Sequence, residues 1–286
     1  MMNDRENIKT MVRGFYDLQK LRMQMGNRVV GNFKAKLGQE PGESEDELSP
    51  DAKLILNNLR ASYRRITDGV KRVSIKNFKG DAVIGDYADF ILAQSYFDIE
   101  ASETRGFNSL EKLLDDFPIY TEFLKDIRGV GPAMAGIIIS EIDITKAEYP
   151  SSIHKYAGLD VVKGEGRSRK KHHLEESTYI DKEGKEQKKM GITFNPFLKT
   201  KLIGVLGTSF LRSASEYREH YDNYKNRLEN APAHKEKTKG HRHNMAVRYM
   251  VKRFLIDLYV NWRTLEGLPV AKEYSEAKLG IVHKVA

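Results

Sequence analysis

Cysteine is absent from the 286 residues. This removes disulfides, thiolate nucleophiles and every thiolate metal site. Long apolar runs are absent as well: nothing approaches the roughly 18 consecutive apolar residues of a membrane-spanning helix, and the N-terminus has no secretory apolar core. The expectation is a cytoplasmic chain with no membrane partner. No internal repeat is visible, and "GQEPGESEDELSPD" is the longest low-complexity stretch. The N-terminal region also lacks runs of alternating apolar and polar residues, which makes a domain built on a central β-sheet hard to place there.

Basic and helical residues dominate what is present. Lys and Arg number 48 against 40 Asp and Glu, a formal charge of +8 that favours a polyanionic partner. Apolar residues at Ile8, Met11, Val12, Phe15, Leu18, Leu21 and Met25 predict one long amphipathic helix over 4–31, whose apolar face is open to packing within the chain, the commoner fate of such a helix, or to coiled-coil pairing with a second copy. Ser49-Pro50 is a start signal for another helix, and further helices are predicted over 86–102, 109–117 and 119–128. Asp86, Asp89 and Asp98 fall on the solvent side of such a helix. After a polar hairpin turning at Lys182-Glu183-Gly184, helices return over 197–213, 215–230 and 244–265. The fold class expected is mainly α: a helical N-terminal region, 1–114, and a domain over 115–286 with a basic loop and a small β-hairpin.

The sharpest local signal is Ile127-Arg128-Gly129-Val130-Gly131-Pro132. Two glycines in a three-residue bend permit φ > 0 and leave amides uncovered, and Pro132 suits the first turn of the next helix. That helix would aim its free N–H groups and positive dipole end outward, a good place for a phosphate oxygen. The pattern is that of a helix-hairpin-helix, with Arg128, Gly129, Val130 and Gly131 touching a nucleic-acid backbone. A tight interhelical turn in which the glycines serve only packing is the competing interpretation.

Two basic segments follow. The first, "KGEGRSRKK", carries Lys163, Arg167, Arg169, Lys170 and Lys171; the second, "KEKTKGHRHNMAVRYMVKRF", carries Lys239, His241, Arg242 and Arg248. Each is a candidate to neutralise phosphates, or else a solvated charged face. His172-His173 and His241/His243 lack the i, i+4 spacing of a helical metal pair, so no metal site is predicted. Tyr217, Tyr221 and Tyr224 suit helix packing better than base stacking.

"LKDIRGVGPAMAGIIISEI" followed by "YPSSIHKYAGLD" resembles the C-terminal transposase domain of the insertion-sequence transposases guided by a bridge RNA, which join a RuvC-like DEDD nuclease to a helix-hairpin-helix domain. Gly129, Val130, Gly131, Pro132, Ala135, Glu141, Tyr156, Ala157, Gly158 and Leu159 carry the match, which spans about 115–265. The resemblance implies DNA binding in transposition or recombination, a serine nucleophile in the basic loop, and DNA with a guide or structured RNA as partners. Ser168 is the serine so placed. The chain departs from that pattern in showing Asp160-Val161-Val162 after Gly-Leu, Arg169 after the serine, and no Asp-bearing strands at its N-terminus. No cofactor is expected of the chain itself, and Mg2+ would enter only with a nuclease acting in trans. A non-catalytic helical protein binding DNA or structured RNA, and a DNA glycosylase, stand as the alternatives.

Overall fold

The computed structural model describes residues 2–36, 43–44, 47–54 and 86–272. The chain is mainly α-helical, with two small antiparallel strand pairs. It divides into two compact units, Thr10–Ser109 and Met1–Lys9 with Leu110–Ala286. No helix among the described residues is long and apolar enough to cross a membrane.

The first unit holds most of α1 (Met2–Lys36) and of α2 (Tyr87–Leu114). Two helices predicted over 86–102 and 109–117 are in fact this one helix, running straight through Gly106. Glycine is tolerated mid-helix here because the Phe15 ring occupies its side-chain space: an added Cβ would lie 2.5 Å from that ring. Phe15 meets Phe107 edge-on at 5.5 Å. Asp86 starts α2, its carboxylate accepting the Asp89 amide at 2.9 Å. The solvent-side reading of Asp89 is wrong: it is buried and accepts hydrogen bonds from Asn32 at 2.7 Å and Lys36 at 2.6 Å on α1. Buried Glu103 likewise holds Arg22 at 2.5 Å. Polar residues of α1 thus form the far side of a polar seam, a partnership that the spacing within one helix cannot show. Ser49 caps the helix opening at Pro50, its hydroxyl accepting the Ala52 amide at 3.1 Å; the predicted helix beyond Leu54 lies outside the described residues.

The second unit is built around α9 (Lys239–Leu265), whose Met250, Val251, Phe254, Leu255, Leu258 and Tyr259 have no exposed surface. Against α9 pack α8 (Arg218–Asn230), α5 (Pro150–Tyr156), α3 (Pro118–Thr121), α7 (Gly207–Arg212) and a π-helical stretch, Lys201–Leu206, that joins α6 (Pro196–Thr200) to α7. The helix predicted over 119–128 is instead α3, a break at Phe123 and a 3-10 turn, Leu124–Asp126. The break lets the Phe123 ring stack on Phe254 at 6.4 Å and takes Leu124 fully out of solvent. Tertiary packing overrides helical periodicity there. Beyond the bend, α4 (Pro132–Glu141) is buried from Met134 onward, as an all-round apolar helix must be.

The basic loop is not irregular. Val161–Val162 (β1) and Glu165–Gly166 (β2) form a hairpin closed by Lys163 and Gly164, both at positive φ (50° and 81°), the conformation of a type I′ turn. The longer hairpin pairs Glu175–Ile180 (β3) with Glu186–Gly191 (β4), and Asp181 organises its turn by accepting the Glu183 and Lys185 amides. Tyr217 and Tyr221 are buried and Tyr224 stacks on Tyr249 at 4.4 Å, so all three serve packing.

Candidate nucleic-acid interface

At the bend the two glycines have different reasons to be glycine. Gly129 sits at φ +100°, and a Cβ there would lie 2.8 Å from Ser213 Oγ and 3.0 Å from Phe210. Ser209 on α7 donates to the Gly129 carbonyl at 2.8 Å. Gly129 is therefore demanded by the protein's own packing. Gly131 is not: its φ of −93° suits any residue, it is exposed, and a Cβ would meet nothing within 4 Å. As N-cap of α4 it could be Ser, Asp or Asn with equal or better effect. Its carbonyl accepts the Met134 and Ala135 amides, while no backbone acceptor among the described residues takes its own amide. Arg128 is exposed beside it and Val130 is buried.

The Ala-Gly-Leu run that follows has a local physical explanation. Leu159 donates to the His154 carbonyl at 2.8 Å and Gly158 to that of Lys155 at 3.0 Å, a Schellman ending of α5, with Gly158 at φ +66°. Glu141 and Tyr156 are brought together by Asn195, whose amide donates to both, at 2.6 and 3.1 Å. At this C-terminal end of α4 lies a cavity of about 420 Å³ lined by Arg5, Glu141, Asp143, Lys146, Ser152 and Tyr156, among others.

The expected phosphate-binding cations separate into two groups. Lys163, Arg169, Lys170 and Lys171 are exposed around the first hairpin, as are Lys239 and His241 in the first turn of α9. Lys170 also pairs with Glu165 at 2.6 Å. Arg167 and Arg242 turn inward. Arg167 Nε contacts both Asp160 oxygens, at 2.8 and 2.9 Å, while its Nη1 donates to Thr193 and Glu175. That charge is spent within the fold, and the neighbouring carboxylates keep the guanidinium pKa raised. Arg242 donates to the His234 and Lys237 carbonyls. Helix α9 starts at Lys239, five residues before the predicted start, because Thr238 Oγ1 caps it through the His241 amide at 3.1 Å. Arg248 lies over the hairpin, so close that a Cβ on Gly166 would overlap its guanidinium. Its Nη1 is buried with no hydrogen-bond partner among the described residues, and burial lowers its pKa. Lys199, lowered by burial and by Arg248, donates to the Arg167 carbonyl.

Ser168 sits in the middle of this arrangement and meets a residue that sequence reasoning passed over. Its Oγ lies 2.9 Å from His173 Nδ1, and its own amide donates to the same nitrogen at 3.0 Å. A five-residue separation in a loop carries no spacing signal for a side-chain pair, and adjacent histidines draw attention to metal rather than to a serine. Glu165, His172 and His173 do offer donor atoms within 4.8 Å of one another. The Nδ1 lone pair faces the Ser168 amide, so the neutral ring carries its proton on Nε2, and a cation would reach Nδ1 only by displacing that amide.

No family model matches the chain, and neither a curated protein nor a solved structure is found to be similar to it.

Proposed function

We propose that this is a DNA-binding, transposase-like protein of a mobile genetic element, acting in transposition or recombination. The bend at Gly129–Gly131 holds the DNA backbone, the exposed cations of the first hairpin and of the start of α9 hold the strands, and Ser168 is the hydroxyl available for strand exchange. The observation that carries the reading is Gly131, a glycine that neither backbone conformation nor packing requires, at the exposed start of a helix. Leaving out its side chain serves a ligand that must approach the amides closely, and a phosphate oxygen is the natural one.

The test is Gly131→Ser. Serine keeps a good N-cap, so thermal stability should hold within about 0.5 kcal/mol, while its side chain covers the amides. Affinity for duplex or junction DNA should fall about tenfold in moderate salt, a loss of about 1.4 kcal/mol. Undiminished binding by a folded variant would refute the assignment of the bend. Folded RNA run as competitor in the same series separates the alternative polyanion: a preference for RNA alone would replace DNA as the ligand.

A further inference from the structure

A backbone amide can only donate, so the 3.0 Å contact from the Ser168 amide requires a lone pair on His173 Nδ1. The Ser168 hydroxyl, 2.9 Å from the same atom, then donates to it as well. This is the arrangement of a hydroxyl nucleophile on its base. His173 is buried, at 3% exposure, and its Nε2 has no hydrogen-bond partner among the described residues. Burial lowers its pKa from the usual 6.5. The charges facing it are His172, Lys170 and Arg167, which lower it further, and Glu165, which opposes them. The ring is therefore neutral, and able to accept a proton, at neutral pH. From the other side the Lys170 amide donates to Ser168 Oγ at 3.3 Å, a contact that favours negative charge on that oxygen.

The class of substrate follows from the surroundings. Arg248, its Nη1 without a hydrogen-bond partner among the described residues, lies against Gly166, two residues before the serine, and Lys199 reaches the carbonyl of the residue just before it. Exposed Arg169, Lys170 and Lys171 follow directly. An anionic electrophile suits this ground and a neutral acyl group does not.

We infer that Ser168 and His173 are a nucleophile and its general base, acting on a phosphodiester. The inference rests on the reading of Ser168 as the attacking hydroxyl and adds the residue that activates it. In the step, the Ser168 amide releases the Nδ1 lone pair and the Oγ proton passes to His173 Nδ1 as the Oγ–P bond forms. One P–O bond of the diester breaks, and the departing oxygen takes the proton from Nδ1. The products are a phosphoserine diester and a free hydroxyl, and attack by a second hydroxyl reverses the linkage without any further reactant.

The experiment uses the full chain and bis(4-nitrophenyl) phosphate, a diester whose nitrophenolate leaves without protonation. A burst of nitrophenolate should accompany a nitrophenyl phosphate adduct on Ser168, located by peptide mass spectrometry. The burst rate should be level through neutral pH and fall only on acidification below about 6.5. His173→Asn supplies an Oδ1 that can accept the Ser168 amide, keeping the loop, yet takes no proton. It should lower the rate by about 100-fold or more with the helical circular dichroism unchanged. An unmodified Ser168 in the folded wild-type protein, a wild-type rate lacking the acid limb, or a folded Asn variant reacting at the wild-type rate would each overturn the inference. The acid limb is read on the wild type, so a variant that fails to fold does not rescue the idea. DNA binding is scored separately through Gly131→Ser, so loss of the DNA reading and loss of the nucleophile–base pair are told apart.

Discussion

Arg167 and Arg169 stand two positions apart and look alike in the sequence, yet only one of them faces outward. Arg167 is enclosed with Asp160, a pair whose separation is costlier than its formation is favourable. Arg167→Met should destabilise the protein by about 3 kcal/mol in urea unfolding, through the carboxylate left behind. Gly129→Ala places a Cβ at φ +100° against Ser213 and Phe210 and should cost about 1 to 3 kcal/mol in the same measurement. Gly131→Ser, two residues on, should cost almost nothing. A G-x-G pattern presents both glycines identically; only the surrounding side chains reveal that one is packed and the other has open space before it.

At the scale of elements, helices with a clear apolar period were legible, as with α1, α8 and most of α9. Misreadings fell where a partner element decided the matter: at Gly106, filled by the Phe15 ring, and at Phe123, turned out of helix to reach Phe254. The contact of α5 with α9 also has a pH signature. His154 donates from Nε2 to the Lys252 carbonyl at 3.3 Å, and burial, helped by the Lys252 charge, pushes its pKa down to about 4 from 6.5. The unfolded chain therefore takes up this proton first as pH falls. The associated stability is complete above about 6.5 and is lost progressively toward pH 4, by at most about 3 kcal/mol. Melting temperature should decline across that window, and His154→Gln, which can still donate to the carbonyl, should flatten the decline. Asp143, whose cost of burial is outweighed by its hydrogen bond from Thr145 and by the Arg5 charge, acts as pH falls through and below the usual carboxylate value, while His173 and His220, also lowered by burial, share the window and leave a residual slope in the Gln variant.

Across the whole molecule, the +8 charge is a general attraction whose reach depends on which cations remain outside. Plots of log affinity for DNA against log salt should be linear, and Arg169→Ala and Lys171→Ala should each make the slope shallower by about 1. Arg167→Met should leave the slope unchanged, because that charge is already neutralised within the fold. Measuring the slopes for all three variants checks whether the division between inward and outward cations governs binding.

By itself the sequence determined the class of the protein: no thiol chemistry, mostly helix, basic, with a glycine bend before a proline-started helix and a serine among cations. These are properties of composition and of neighbours within a few residues, where local propensity and periodicity act. The tertiary structure alone decided that Asp89 is buried, that Arg167 is spent on Asp160, that Gly131 has open space before it, and that Ser168 rests on His173. Each of these depends on atoms brought together by folding, and burial, pairing and hydrogen bonding act through distance in space, which the order of residues does not specify.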